Sequence, residues 1–407
     1  EKGFINNLRG SAEPRHRYRK SDFEAAVKKL ETDIPDAKAR SGRVKELEAA
    51  HPHVMVMRDE VDRKAFILKR GQYDDKGEEV DPGLPEAFSP VPEGESLTRL
   101  DLARWLVDGE HPLTSRVFVN RIWEQFFGTG IVKTSENLGR QSDWPSHPQL
   151  LDWIAVDFVE SGWDVKGLIR AIVMSRSYRQ SSIIDEERLQ RDPENRLLSR
   201  GPRTRLQAEM LRDQALFLSG LLVERVGGPS WWVYQPAGLW LEVEKRGTFE
   251  QDHGEKLYRR SLYSRIRRTV APPSMLLFDM PSREMCSVKR TSTNTPLQAL
   301  ALLNEVTYVE AAKKFAERMM TKGGTPGERI AWGFRCATSR VAEKEELEIL
   351  VKGYERRVER YRRDGKAAED LLGQGESKVA AYLLKPEMAA LTTVANVILN
   401  LDEVINR

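Results

Sequence analysis

Along most of this chain apolar residues recur at the three- and four-residue spacing of an amphipathic helix, with Gly or Pro punctuating the runs. Residues 111–182 carry the clearest pattern. Val117, Ile122, Trp123 and Phe126 predict a helix from about Pro112 to Phe127. It stops at Gly128, because glycine takes the left-handed C-terminal conformation without a Cβ penalty. Ser146, followed by His147 and Pro148, reads as an N-cap and first turn, and Leu150, Leu151, Ile154 and Phe158 extend that stripe towards Gly162. A third helix is expected from about Asp164 through Leu168, Ile169, Ile172 and Val173 towards Tyr178. None of the three can bury its stripe alone, so they are expected to pack together.

The remaining pattern is also mostly helical. Phe23, Val27, Leu30, Ile34, Val44 and Leu47 predict a helical hairpin or an interrupted helix from Ser21 to about His51, broken at Pro35. Short β-type runs around a charged turn predict a hairpin over Val54–Gly71, followed by an irregular strap rich in Gly, Pro, Asp and Glu. After Ser182 a polar bridge leads to a helix over about Leu206–Leu222, with Ala208, Leu211, Ala215 and Leu218 on its apolar side. Leu257–Arg268 alternates like a strand with arginines on one side. Thr295 and Pro296 open a long helix striped by Leu300, Leu303, Val306, Val309, Ala312 and Phe315 and ended by Gly323 and Gly324. Two more helices are expected, from Glu343 to about Arg362 and from Ala381 to about Asn400. The expected fold is mainly α: a multi-helix body with a small β-hairpin and irregular Trp/Pro-rich loops. Its segments are an N-terminal helical stretch (1–53), the hairpin and strap (54–95) and a main helical domain (96–407).

The strings RVFVNRIWEQFFGTGIV, PSHPQLLDWIA, GWDVKGLIRAIVMSRSYRQSS, LYRRSLYSRIRR and TNTPLQALALLN occur in that order. With them, from about Met55 to Leu401, the chain resembles the C-terminal domain of unknown function (domain of unknown function 1553) of large planctomycete-type surface proteins that also carry a cytochrome c-like domain. The resemblance implies an extracytoplasmic location, periplasmic or at the cell surface, and a cytochrome-bearing neighbour in the same full-length protein. It carries over no catalytic residue.

Composition narrows the classes further. The 65 basic residues nearly balance the 62 acidic ones, leaving a net charge of +3. Basic runs are short, at Arg15–Lys20 and Arg259–Arg268, so no nucleic-acid face is expected. No stretch of about 18 apolar residues is available to span a membrane. The chain opens at Glu1 in a polar segment, which reads as a mature fragment or a trimmed start and does not argue for the cytoplasm. Cys286 and Cys336 lie outside any Cys-x-x-Cys-His pattern, so haem is expected only in an associated domain and no cofactor in this chain. The two cysteines are expected either to form one disulfide, if the extracytoplasmic setting holds, or to be buried thiols. The six histidines are scattered and no metal site is expected.

Phosphate loops, nucleophile elbows, zinc-protease motifs and dinucleotide fingerprints are missing, which leaves a few candidate places. Glu209, Arg212 and Asp213 share a helix face and form either a ligand-facing network or a surface salt bridge. Asp279, Arg283, Arg290, Asn294 and Gln298 fall in a loop before a helix N-terminus, suited to an anion or to a structural ion pair of its own. His147 stands in the first turn of a helix, as a cap or a functional imidazole. Trp231, Trp232, Tyr234 and Trp240 crowd one irregular segment, either pinning a loop or offering an aromatic platform. Arg260 and Arg283 are expected to find Glu209, Asp213 or Asp279 as partners.

Two readings stay open. In one, the chain is a non-catalytic module that binds a glycan or docks the cytochrome-bearing portion of its own protein, with Arg212, Arg260, Arg283, Asn294, Gln298, Trp232, Tyr234 and Trp240 as ligand-binding candidates. In the other, it is a polysaccharide-active enzyme with Glu209, Asp213, Asp279 or His147 as acid and base, which needs two carboxyls about 5–10 Å apart across a cleft. No carboxylate pair stands out, which favours the first.

Overall fold

The computed structural model describes residues 4–6, 17–50, 64–85, 88, 97–236, 238–239 and 249–406. The chain forms two units. One comprises Glu1–Arg63, Val223–Val233 and Glu250–Arg265, and the other Lys64–Leu222, Tyr234–Phe249 and Ile266–Arg407.

In the first unit β1 (Phe4–Asn6) pairs antiparallel with β2 (Arg17–Arg19), a ribbon the hydrophobic pattern does not announce. Helices α1 (Lys20–Asp33) and α2 (Ala37–Ala50) then flank Pro35 as expected. The expected strand over 257–268 is replaced by 3-10 turns at Gly254–Tyr258 and Ser261–Tyr263, joined to the rest by single bridges between Val223 and Arg259 and between Trp231 and Ser264. Arg259 explains the difference. Its guanidinium turns inward, donating to the carbonyls of Pro229 (3.0 Å), Arg225 (3.2 Å) and Gly227, and its carbon lies 4.3 Å over the Tyr263 ring. Charge-assisted bonds from one guanidinium thus satisfy three loop carbonyls.

The second unit opens with β3 (Ala65–Leu68) paired antiparallel with β4 (Lys76–Val80) across a turn where Arg70 takes φ 52°. The hairpin is therefore displaced: its second strand falls in the stretch expected to be irregular, and residues 54–63 of the expected hairpin lie outside the described residues. Helices follow in order: α3 (Arg99–Leu106), α4 (Thr114–Phe127), α5 (Pro148–Glu160), α6 (Val165–Met174), α7 (Glu186–Arg191), α8 (Ala208–Ser219), α9 (Pro273–Leu277), α10 (Pro296–Asn304), α11 (Val306–Met320), α12 (Pro326–Thr338), α13 (Lys344–Arg363), α14 (Gly365–Leu372), α15 (Lys385–Leu399) and α16 (Asp402–Ile405). The fold is mainly helical, as the pattern implied.

Among the described residues, two apolar cores organise this unit. One joins α4, α5 and α6 through Val119, Trp123, Phe127, Leu151, Ile154, Phe158, Leu168 and Ile172. The deepest apolar positions of α4 are Val119, Trp123 and Phe127, so that face is rotated slightly from the expected stripe, and Ile122 and Phe126 only flank it. Beyond Gly128 (φ 76°), buried Asn120 fixes the next loop by donating to the Val132 carbonyl (3.0 Å) and accepting from the Val132 amide (2.8 Å). The N-cap of α5 is His147, with no side-chain cap, rather than Ser146, whose hydroxyl donates to the Ile131 carbonyl (3.4 Å).

The second core sets α15 against α8, α11, α12 and α13. Ala389, Ala390 and Ala395 on α15 and Ala311, Ala312 and Ala316 on α11 are fully buried, and these short side chains let the two axes approach closely. Each large side chain sealed here, such as Phe315, Met319, Met388 or Leu391, contributes ~1.5–3 kcal/mol of apolar burial. The single long helix expected from Pro296 is split at Glu305, whose backbone is extended (ψ 138°) and whose carboxylate accepts from the Thr307 amide and hydroxyl, both at 3.0 Å, capping α11.

Candidate functional site

Between the C-terminal end of α4, the chain entering α8 and the loop ahead of α10 lies an open cleft of about 560 Å³, with an adjoining recess of about 330 Å³ beside Glu209 and Arg283. Its first wall is fixed at Gly128, where a Cβ would run into Thr204 Cγ2, so α4 must end on a residue without one. Residues 203–207 are held from the other side: the Leu206 amide donates to the Ile405 carbonyl (3.0 Å), Arg205 bridges to Asn406, and Arg203 pairs with Asp402. Gln207, the N-cap of α8, donates to Gln125 Oε1 at 2.7 Å.

The second wall is the loop from Phe278 to Thr295. Asp279 (φ 60°) and Arg283 (φ 64°) both occupy the left-handed backbone region that a side chain enters only under constraint. The Asp279 carboxylate supplies part of that constraint by accepting from the Thr293 amide (2.8 Å) and hydroxyl (2.9 Å), which closes the loop on itself. Buried Gln298 ties it down further, donating to the Leu277 carbonyl (2.8 Å) and accepting from Arg205, which also donates to Asn294 Oδ1 at 3.1 Å.

Charge fills the space between the walls. Arg290 grips Glu209 through two hydrogen bonds, at 2.7 and 3.1 Å, and Lys289 stands 3.4 Å from Glu124. Burial pushes the Glu209 carboxyl up, but the Arg290 fork and the residue's own amide outweigh it and hold the group below the ordinary carboxylate range.

The sequence candidates are thus only partly gathered. Asp279 and Asn294 line the cleft, Glu209 and Arg283 the recess, and Gln298 supports the loop from behind. Arg290, not Arg283, takes Glu209. Arg260 belongs to the first unit, as does Trp232, which lies under the Arg265 guanidinium at 4.7 Å and whose amide donates to Asp252 at 2.9 Å. His147 contacts the Ser146 hydroxyl (3.0 Å) and does not line the cleft. Trp231 is buried rather than displayed, and Trp240 lies outside the described residues.

Arg212 and Asp213 do not line the cleft, and their charged ends lie 3.9 Å apart. They belong to a second polar cluster. Burial pushes Arg212 down and both Glu305 and Tyr308 up, with the charges of Arg212 and Asp213 entering as secondary influences. Further along α11 the Tyr234 hydroxyl donates to Glu310 (3.0 Å) and accepts from the Glu376 amide (3.1 Å). Lys313, fully buried, donates to the carbonyls of Leu372 (3.2 Å), Gln374 (2.5 Å) and Ser377 (2.6 Å). The Tyr234 hydroxyl therefore ties α11 to the loop after α14. Cys286 and Cys336 are free and exposed, which overturns both the disulfide and the buried-thiol expectation. Among the described residues no three His, Cys, Asp or Glu side chains gather to hold a metal ion, and no helix is long and apolar enough to cross a membrane.

Glu124, Arg203, Arg205 and Lys289 were not singled out from the sequence. Glu124 left a trace: a carboxylate in the last turn of a helix opposes the macrodipole, and α4 has no basic residue there to relieve it. Arg203 and Arg205 were hidden inside a polar bridge whose order depends on distant partners.

Residues 98–354, more than half of the chain, match the family model PSD1, described as a protein of unknown function (DUF1553). The chain belongs to the DUF1553 family. Both walls of the cleft lie inside the matched DUF1553 region, whereas α15, α16 and Asn406 follow it. No curated protein and no solved structure matches this DUF1553 chain.

Proposed function

We propose that this DUF1553 chain is a non-catalytic binding module for an acidic glycan, acting in an extracytoplasmic protein. The observation that carries the reading is the cleft itself: Arg203, Arg205, Lys289 and Arg290 line it against Glu124 and Asp279, with Asn294, Thr293 and Gln207 offering neutral hydrogen-bonding groups between them. A polymer bearing carboxylate or sulfate groups among hydroxyls meets both requirements of such a surface. The engagement of the acids supports binding over hydrolysis. A general acid must hold its proton near neutral pH, whereas Glu209 sits below the ordinary range under the Arg290 fork, and Asp279 is committed to Thr293. The extracytoplasmic setting, beside a cytochrome c-like domain of a planctomycete-type surface protein, rests on the resemblance of the sequence strings.

Titration calorimetry with polygalacturonate and with neutral dextran tests the proposal. Polygalacturonate is expected to bind and to weaken with added salt, and dextran to show no heat of binding. Lys289→Gln and Arg203→Gln should each weaken the polyuronate about fivefold, the loss of one exposed charge contact of ~1 kcal/mol. Release of reducing ends during the titration would make the chain an enzyme instead, and absence of binding would remove the reading.

A further inference from the structure

The cations lining the cleft and its recess are not equally committed. Arg290 donates to Glu209, Arg203 pairs with Asp402, and Lys289 stands 3.4 Å from Glu124. Arg205 gives its guanidinium to the neutral oxygens of Gln298 and Asn294. Arg283 differs. It is exposed, lines the recess and forms no ion pair or hydrogen bond among the described residues, although its charge reaches Glu209, which the Arg290 fork already holds. Glu284, next in the chain and also lining the recess, does not pair with it. An anion at Arg290, Lys289 or Arg203 must share the cation with a carboxylate already in place, whereas one at Arg283 meets an undivided charge.

The backbone points the same way. Asp279 and Arg283 both stand at positive φ, 60° and 64°. At Asp279 the side chain helps to hold that conformation through Thr293, but no side-chain bond does so at Arg283. Glycine would take the same φ without strain, so the arginine costs stability where it gains no bond within the chain. Beside it, Met280 and Pro281 give the recess apolar surface, so a planar cation and a face for the C–H side of a sugar ring lie together. Pro281, Ser287 and Arg290 line both hollows, which makes the recess continuous with the cleft.

We propose that the recess is a second anion subsite, in which Arg283 holds one carboxylate of a polyuronate whose neighbouring units lie in the cleft. The inference rests on the glycan-binding reading above and deepens it by naming the class of acidic polymer and the arginine that anchors it.

Titration calorimetry with polygalacturonate, paired with thermal melting, tests it on Arg283→Gln, Arg283→Gly and Arg283→Lys. Arg283→Gln keeps a side chain at the strained position and should weaken binding about tenfold at an unchanged melting temperature. Arg283→Gly should weaken it as much while raising the melting temperature by about 1–2 °C, because it relieves the backbone. Arg283→Lys keeps the charge without the fork and should fall between the wild type and Arg283→Gln. A side chain that merely props the loop responds in the opposite sense, with Arg283→Gly melting lower, and that result overturns the proposal. Variants that bind as tightly as the wild type overturn the subsite and leave the cleft reading standing. A wild type that does not bind polygalacturonate overturns both.

Discussion

The cleft and the Lys313 cluster are made from the same kinds of side chain in the same unit, yet they treat charge in opposite ways. In the cleft, Arg290 and Lys289 remain partly open to water, and their partners Glu209 and Glu124 come from two different helices, so the charges hold a surface in shape while leaving it accessible. Around α11, Lys313 and Glu310 are buried, and their hydrogen bonds reach backbone groups of the 372–377 loop and the Tyr234 hydroxyl. Exposure, not residue type, separates a surface that can receive a ligand from a fastening that cannot.

The strongest test of this comparison is Lys313→Met. It strands the carbonyls of the 372–377 loop and leaves Glu310 buried beside an apolar chain, and should cost ~3–5 kcal/mol in denaturant unfolding. A loss near zero would show that the fastening carries no load. Asp213→Asn should follow at roughly 3 kcal/mol, because it removes the charge beside buried Arg212, and it should leave polygalacturonate affinity unchanged.

Acidity separates the two regions by sign. Glu209 is depressed in the folded chain, so its contribution is present above the ordinary carboxylate value and is lost as pH falls through the depressed one. Glu305 is raised by burial, so its contribution is present below the ordinary value and is lost as pH rises through the raised one. Melting curves against pH should show Glu209→Gln, worth ~1 kcal/mol at neutral pH, converging on the wild type in acid. Glu305→Gln, which imitates the protonated acid, should also match the wild type in acid but should become the more stable of the two as pH rises through the raised value. Parallel profiles would erase the distinction. The smallest effect concerns the thiols: native alkylation should add two adducts, one each on Cys286 and Cys336, without changing the melting temperature. Although exposed, the Cys336 thiol is desolvated by its surroundings enough to stand above the ordinary thiol value, so it should react more slowly than a free model thiol.

How much of this could be read beforehand follows from the range of the interactions. Helices α4, α5 and α6 were legible because a one-sided stripe closed by Gly128 or Gly162 is local information. The break at Glu305 was not, since the residues around it include no Gly or Pro and the cap is a carboxylate that fits a helix equally well. The Asp279 loop and Glu209 were recognised as charged places, but their wiring was hidden: Arg290 lies 81 residues from Glu209 and Arg203 lies 199 from Asp402, and nothing in either segment specifies which partner it meets. Alternation misled at 257–268 because Arg259 hydrogen-bonds inward, where a strand would turn it to water.

The position of α15 has a practical consequence for anyone dissecting this family. The matched region ends at residue 354, inside α13, but the side chains that cover Ala312, Phe315 and Met319 arrive later, from Met388, Leu391, Val394 and Ile398. A fragment excised at the matched boundaries would retain both cleft walls and lose its keystone, turning the most thoroughly dried surface of the molecule into a sticky exterior. The smallest portable piece of the cleft therefore runs through Asn406, where the turn after α16 still grips the segment leading into α8.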